Sequence, residues 1–344
     1  MLKNILLLVV SVLFIIGGLF MINPVNAEEW DKVFPKSDKV KIEHVTFENR
    51  FGIVLAADLY IPNTIKEDDK LPAIAISGPF GAVKEQALGL YAQTLAERGF
   101  ITLAFDPSYT GESSGTPRHV ASPDINTEDF SAAVDFLSAQ KNVDSNKIGI
   151  LGICGFGGFA LNAAAIDTRI KATVASTMYD MTRVSAHGYN DTLDANARYE
   201  LKQKLNNQRI EDFQTGDHKG AEGLPDELTG EEPQFVKDYY DYYKTKRGFH
   251  ARSINSNGKW NMTSSLSLIN QPILQYASEI KTPVLIIHGE NAHSRYFSED
   301  AYKKLKGENK ELLIVKEANH VDLYDNLEKI PFDKIESFYK NNLK

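Results

Sequence analysis

The 344-residue chain lacks the features that define several protein classes. It has one cysteine, Cys154, so it cannot form an internal disulfide and is not a disulfide-rich scaffold. Its 38 basic residues are outnumbered by 46 acidic ones, and it contains no lysine or arginine tract. We expect no nucleic-acid partner, because the phosphate backbone attracts clustered positive charge and this chain has a net charge of −8.

Motifs for bound cofactors are also missing. No pair of histidines or cysteines has the spacing of metal ligands, and HExxH does not occur. A G-x-G-x-x-G turn with its following acidic residue, which would indicate a dinucleotide site, is absent as well. The sequence therefore predicts neither a metal nor another cofactor.

The one long hydrophobic run lies at the amino terminus. Lys3 precedes an almost uncharged apolar stretch at 5–22, and Val25 and Ala27 are small residues suited to positions −3 and −1 of a cleavage site. This pattern predicts a signal peptide at 1–27 and an exported protein, periplasmic or secreted, with no stable membrane insertion after cleavage. An uncleaved membrane anchor is the alternative, because a run of this length just spans a bilayer.

Two hydrophobic periods predict an α/β fold. Apolar residues alternate with polar ones from Val40 through Ile61, as in an antiparallel hairpin. Short apolar runs separated by helical patterns follow at 73–76, 101–105, 148–151, 172–177, 283–287 and 312–315. Such alternation is typical of a doubly wound, mostly parallel sheet with helices on both faces.

About a hundred residues interrupt this alternation. The stretch 179–280 has no apolar strand and is rich in Asp, Glu, Asn and Tyr, so we predict a helical insertion, either a cap over the sheet or a separate subdomain. The predicted organisation is a signal peptide at 1–27, a core in two parts at 28–178 and 281–344, and a cap at 179–280. The clustered tyrosines of the predicted cap either line an apolar substrate pocket or pack between helices. They are Tyr239, Tyr240, Tyr242 and Tyr243.

Cys154 is the candidate nucleophile. It lies in a glycine-rich turn between a predicted strand and an Ala-rich helix, where a side chain projects at the carboxyl edge of the sheet. The helix N-terminus favours a thiolate, and the N–H of Gly155 is placed to receive an oxyanion. The loop at 77–81 should supply a second donor, Phe80, because Pro79 has no N–H. A buried structural cysteine is the alternative.

His320 is the candidate base among eight histidines. It follows the last predicted strand directly, which places it at the same edge of the sheet as Cys154. The orienting acid should follow the preceding strand, where Glu290 is the residue we name. The usual acid position, three residues beyond Gly289, holds Ala292, so Asp180 and Asp300 stay open as alternatives. An exposed loop histidine is the other interpretation of His320.

These motifs together resemble the α/β-hydrolases, and within them the dienelactone-hydrolase-like and Xaa-Pro-peptidase-like groups. The resemblance runs from about residue 40 to the carboxyl terminus, apart from most of the insertion. It implies a Cys-His-acid triad with Cys154 and His320, whereas the acid carries over only by analogy. Phe156 departs from the pattern, which usually has a small residue there. The motifs are GICGFGG at 152–158, GPFG at 78–81, KEQ at 84–86, DPSYTGES at 106–113 and ANH at 318–320.

The sequence thus predicts an exported hydrolase of a small acyl substrate. The bond is an ester, a lactone or a related acyl bond, cleaved through a thioester acyl-enzyme, and peptidase activity is also open. An acyltransferase or a non-catalytic binding protein of the same fold are the alternatives. The sequence predicts no oligomeric state.

Overall fold

The computed structural model describes residues 30–344, so the predicted signal peptide at 1–27 lies outside the described residues. Lys32–Lys344 form one compact unit, which includes the predicted insertion. Across residues 30–344, no helix combines the length and the apolar character needed to cross a bilayer.

A single eight-stranded sheet organises this unit, in the order β1-β2-β4-β3-β5-β6-β7-β8. The pairs β1–β2 and β2–β4 are antiparallel, and the strands from β3 to β8 are parallel. This confirms the predicted α/β fold with an amino-terminal antiparallel pair. The strands are β1 Val40–Glu48, β2 Val54–Pro62, β3 Leu71–Ser77, β4 Ile101–Phe105, β5 Val143–Ile153, β6 Ala172–Ser176, β7 Val284–Gly289 and β8 Lys310–Val315.

Helices cover both faces of the sheet. Along β3, Ala73 and Ala75 belong to one apolar core, and Ile74 and Ile76 belong to the other. This alternation follows from the two-residue period of a strand that is buried on both sides. The helices are α1 Ala87–Glu97, α2 Pro123–Ser138, α3 Gly155–Ile166, α4 Met181–His187, α5 Ala195–Thr215, α6 Gln234–Lys244, α7 Ile254–Asn257, α8 Ser264–Asn270, α9 Arg295–Lys304, α10 Asp322–Asp325 and α11 Phe332–Asn342.

The segment between β6 and β7 carries α4 to α8 and contacts the loops at the carboxyl edge of the sheet. Asn255 on α7 donates from Nδ2 to the carbonyl oxygen of Phe80 at 2.8 Å, and Ser253 Oγ donates to that of Gly81 at 2.8 Å. On α6, the Tyr242 hydroxyl accepts the N–H of Ala87 at 3.1 Å. The insertion is thus bonded to the loop between β3 and α1.

Candidate active site

Cys154 lies at the sharp turn from β5 into α3. Its φ of 56° and ψ of −125° are a strained backbone conformation for a residue with a side chain. The turn requires glycine on both sides: a Cβ on Gly152 would lie 2.0 Å from the carbonyl oxygen of Phe156, and one on Gly155 would lie 2.8 Å from Phe80 Cβ. The thiol therefore projects at the carboxyl edge of the sheet, as in a nucleophile elbow.

Phe156 does not disturb this turn, because its ring points into the core. It packs edge-on against Phe159 at 5.2 Å between ring centroids and lies 6.2 Å from Phe130. Gly78 makes room for it, since a Cβ there would come within 2.7 Å of Phe156 Cβ. The departure from a small residue is thus compensated by a glycine on the neighbouring loop.

Two backbone amides converge on the sulfur of Cys154. The N–H groups of Phe80 and Gly155, the two oxyanion donors expected from the sequence, both act to lower the pKa of its thiol. Trp260 stacks on the Phe80 ring at 4.0 Å, and Asn255 holds the Phe80 carbonyl oxygen. The loop that carries one donor is therefore fixed by residues of the insertion.

His320 lies after β8 and belongs to the same site. Its Nε2 is 3.0 Å from the hydroxyl of Tyr324, and the same hydroxyl acts to lower the pKa of the Cys154 thiol. Its Nδ1 is 2.5 Å from Ser294 Oγ and 3.1 Å from Thr177 Oγ1. The structure thus brings Cys154 and His320 together through Tyr324.

Glu290 does not occupy the acid position. Its exposed carboxylate accepts the N–H of Glu317 at 3.0 Å, and the imidazole of His320 meets the hydroxyl of Ser294 on the side where a triad acid would be. The expectation of Glu290 as the orienting acid is corrected here, because its carboxylate bonds the backbone of Glu317 and not the ring.

The two alternative acids are occupied elsewhere. Asp180 caps α4, where it accepts the N–H groups of Thr182 and Arg183. Asp300 pairs with Arg183 at 3.0 Å and Lys303 at 2.8 Å. Neither carboxylate is a partner of the imidazole.

Burial controls the protonation of the two central groups. It raises the pKa of the Cys154 thiol, and the opposing hydrogen bonds from Tyr324, Phe80 and Gly155 do not reverse the shift. Burial also lowers the pKa of His320 well below its usual range, with smaller contributions from His293 and His288. Burial therefore opposes the thiolate that the helix N-terminus was expected to favour.

Alkylation should report this protonation state. With the pKa of the Cys154 thiol raised, the thiolate fraction at neutral pH is below that of free cysteine and grows as the pH rises. We expect the second-order rate constant for iodoacetamide to keep rising above about pH 9 without a plateau near neutrality. A plateau near pH 7 would show a low-pKa thiolate instead. The shape of the profile is the readout, because limited access scales the rate equally at every pH.

The thiol opens onto a cavity of about 200 Å³. Tyr239 and Tyr243 of the insertion line it, whereas the Tyr242 hydroxyl bonds α1 and the Tyr240 hydroxyl bonds the Asp226 carbonyl oxygen. The tyrosine cluster thus serves both the pocket and helix packing. Within the part of the chain that the structure describes, the lining contains no charged side chain; it consists of Phe80, Cys154, Tyr179, Met181, Val184, Leu224, Tyr239, Tyr243, Asn255 and Tyr324.

The Lys84-Glu85-Gln86 segment precedes α1 and does not line the pocket. All three residues are buried, and the Lys84 ammonium pairs with Glu85 at 2.7 Å and with Asp106 at 3.4 Å. Arg252 of the insertion pairs with Glu85 at 2.7 Å. The segment therefore ties the loop before α1 to the insertion through buried charges.

Sequence reasoning missed the residues that surround the imidazole: Tyr324, Ser294, Thr177, His288 and His293. One signal was present, since Ala292 at the usual acid position already indicated an altered site. Tyr324 stands four residues after His320, a spacing that has meaning only once α10 is known. For residues 30–344, the structure arranges no group of three or more His, Cys, Asp or Glu side chains to hold a metal ion.

Comparison with known proteins identifies the family. The model of "X-Pro dipeptidyl-peptidase (S15 family)" matches residues 52–322. The uncharacterised protein PA2218 of Pseudomonas aeruginosa is 59% identical over 317 residues, covering 92% of this chain and 85% of that protein. Its crystal structure matches with a TM-score of 0.89 over 92% of this chain and 98% of that one.

Two further relatives are more distant. The uncharacterised protein YcjY of Escherichia coli is 34% identical over 281 residues, covering 81% of this chain and 91% of that protein. The thiohydrolase aneE of Aspergillus aculeatus is 36% identical over 104 residues, covering 30% of this chain and 33% of that protein. The chain therefore belongs to the X-Pro dipeptidyl-peptidase (S15) family within the α/β-hydrolase superfamily, and it is a hydrolase.

Proposed function

We propose that the protein hydrolyses a small, uncharged acyl compound through a covalent intermediate on Cys154. The observation that carries this proposal is the convergence on one sulfur atom of two backbone amides, the Tyr324 hydroxyl and an apolar cavity. Such a convergence suits the attack of a thiol on a carbonyl whose oxygen then becomes negative.

The reaction begins with attack by the sulfur. As the bond from Sγ to the carbonyl carbon forms, the thiol proton passes to the Tyr324 hydroxyl, which gives its own proton to Nε2 of His320. The amides of Phe80 and Gly155 donate to the oxyanion. Collapse of the tetrahedral intermediate breaks the bond to the leaving group, which takes the proton back from His320 and leaves a thioester on Cys154.

Water completes the cycle. It gives a proton to His320 and attacks the thioester carbonyl, and collapse releases the carboxylic acid as the thiol recovers its proton. The overall change is the addition of water across one acyl bond. Acyl transfer follows the same path when an alcohol or amine replaces this water, so product analysis with such an acceptor present separates the two outcomes.

The site favours substrates with good leaving groups. His320 has no carboxylate partner among the described residues and its pKa is lowered well below the usual range, so it is a weak base. A weak base suffices for a thiol. Because a thiolate is itself a good leaving group, the tetrahedral intermediate partitions forward only if the substrate's leaving group departs as readily. Thioesters and aryl esters meet this condition better than amides do. The similarity to a thiohydrolase supports the same choice.

The cavity argues against release of dipeptides. A dipeptidyl substrate carries an ammonium group at its amino end, and the lining of this cavity offers no carboxylate to receive it. Burying an unpaired ammonium in an apolar pocket costs several kcal/mol. We therefore expect the site to favour a neutral substrate over a dipeptidyl substrate by about this much. We therefore propose a neutral apolar acyl group rather than the substrate after which the family is named.

A substrate panel tests the proposal. The panel contains the hexanoyl thioester of N-acetylcysteamine, 4-nitrophenyl butanoate and the 4-nitroanilide of Gly-Pro, with Cys154→Ala as the control for each. We expect kcat/KM for the thioester and the aryl ester to exceed that for the dipeptidyl anilide by about 10²-fold or more. Preferred cleavage of the anilide, or equal rates in the control variant, would contradict the proposal.

Asn255→Ala should weaken catalysis without unfolding the protein. The change releases the carbonyl of Phe80 and loosens the loop that holds one oxyanion donor. Deleting such a donor costs about 10²- to 10³-fold in kcat, so loosening it should cost about tenfold. Asn257→Ala on the same helix is the matched control, because Asn257 is exposed and bonds the carbonyl oxygen of Ala251. Equal kcat in both variants would show that Asn255 does not position the loop.

We also propose export of the mature protein. The support is the apolar run at 5–22 and the small residues before Glu28. Intact mass of the protein from the native host should correspond to a chain beginning at Glu28, and a mass that retains residues 1–27 would contradict cleavage.

A further inference from the structure

A chain of buried hydrogen bonds continues from the far side of His320. Its Nδ1 lies 2.5 Å from Ser294 Oγ, and that oxygen lies 3.0 Å from Nε2 of His288. The other ring nitrogen of His288, Nδ1, lies 2.6 Å from Ser298 Oγ. All four side chains are almost completely buried, with exposed fractions of 0–1%. In a buried network of this kind, each hydrogen bond must have one defined donor and one defined acceptor.

The Thr177 hydroxyl suggests one direction for these bonds. It donates to the carbonyl oxygen of His320 at 3.4 Å and in that orientation presents a lone pair to Nδ1 at 3.1 Å. In this arrangement Nδ1 carries the hydrogen and donates it to Ser294. Ser294 then donates to His288, and His288 donates to Ser298. Nε2 of His320 is left without a hydrogen and faces the Tyr324 hydroxyl.

We infer that Ser294 and His288 replace the triad carboxylate as positioning residues: they hold His320 in the Nδ1–H tautomer without adding a negative charge. The catalytic consequence rests on the proposed function, whereas the tautomer does not. In a Cys-His-acid triad the carboxylate both orients the imidazole and stabilises its charged form. Here the orienting role is kept and the charge is absent.

The side chains around His320 are consistent with an orienting role that brings no negative charge. Among residues 30–344, the titratable side chains that face it come from β7, the turn before α3, α6, α10 and the loops after β6 and β7, and none is a carboxylate. They are Cys154, Tyr179, Tyr239, His288, His293 and Tyr324. Ser294 is also the residue that precedes the first turn of α9, so a carboxylate introduced there would meet the helix N-terminus as well as the imidazole.

Variants at Ser294 test the inference. Ser294→Ala removes the acceptor of the Nδ1 hydrogen, and we expect kcat to fall about tenfold or more while KM changes less than about twofold. Ser294→Asp supplies the missing charge, so the acidic limb of the kcat profile should move to higher pH by at least about one unit, because a carboxylate favours the imidazolium.

Two more variants distinguish an effect on catalysis from a loss of stability. Ser298→Ala leaves Ser294 in place but removes the hydrogen-bond partner of His288 Nδ1. We expect a smaller fall in kcat for this variant. Ser113→Ala is the matched control, a buried serine that bonds the Asp106 carbonyl oxygen and the Ala56 N–H away from the imidazole. It should lose stability without a change in the pH profile. Wild-type kcat in both Ser294→Ala and Ser298→Ala would overturn the inference.

A spectroscopic readout separates this inference from the proposed function. Nitrogen-15 NMR of histidine-labelled protein, with His320 assigned from the His320→Gln spectrum, reports which ring nitrogen carries the hydrogen whether or not turnover occurs. The inference requires Nδ1–H in the wild type and loss of that pure tautomer in Ser294→Ala. An Nε2–H signal in the wild type would overturn it. An Nδ1–H signal without acylation of Cys154 would instead leave it standing and contradict the proposed function.

Discussion

Replacing Cys154 with serine lowers kcat/KM for the best ester by about 10³-fold or more, nearly as much as replacing it with alanine. A serine hydroxyl is a far weaker acid than a thiol, so it needs a stronger base. His320 lacks a carboxylate partner, and its lowered pKa leaves it too weak for that task. In a triad with a carboxylate, serine would be an adequate nucleophile; at this site it is not.

Steady-state kinetics of the two Cys154 variants check this result. Both changes are small in volume, and loss of one buried sulfur atom costs about 1 kcal/mol of stability, so thermal melts should remain close to that of the wild type. A serine variant that retains a tenth of the wild-type activity would contradict the account, because it would require a base stronger than a buried imidazole bonded to hydroxyls.

Tyr324→Phe is expected to lower kcat by about 10²-fold. The variant deletes the one hydroxyl that bonds both the Cys154 thiol and Nε2 of His320, and proton transfer in the attack step passes through it. General acid and base groups contribute about 10²- to 10⁴-fold, so loss of a relay between them falls at the lower end of this range. KM should change little, because the ring that lines the cavity is kept.

Tyr339→Phe is the matched control for this change. Tyr339 is equally buried, and its hydroxyl donates to the carbonyl oxygen of Ile150 at 2.6 Å on the helix layer formed by α11. Its loss should cost about 1 kcal/mol of stability without lowering kcat. If Tyr324→Phe turned over at the wild-type rate, the imidazole would have to contact the thiol directly during catalysis, and the relay would be wrong.

The fold could be predicted because its signals are local. The two-residue alternation from Val40 to Ile61 and the short buried runs specify strands, and the glycines around Cys154 specify a sharp strand-to-helix turn. Parallel strands place their carboxyl ends at one edge, so Cys154 and His320 had to meet there. These predictions needed no knowledge of side-chain partners.

The hydrogen-bond partners of the imidazole could not be predicted, because they depend on how loops distant in the sequence come together. Ser294 reaches His320 only because the turn after β7 folds back towards the loop after β8, and His288 joins because it ends β7 with its ring on that side. Glu290 had the right residue type in the right loop, but its side chain bonds the N–H of Glu317 instead. The pKa of Cys154 failed to follow the helix N-terminus because burial, which a sequence pattern cannot measure, is the larger effect.

The most direct test of the central claim is mass spectrometry of the acyl-enzyme. The mature protein is mixed with the hexanoyl thioester, quenched in acid within milliseconds to seconds, and digested to locate the adduct. The account predicts one hexanoyl group on Cys154 that forms and decays at rates consistent with kcat and is absent in Cys154→Ala. Turnover by the wild type with no adduct on Cys154, or an adduct on another residue, would contradict it.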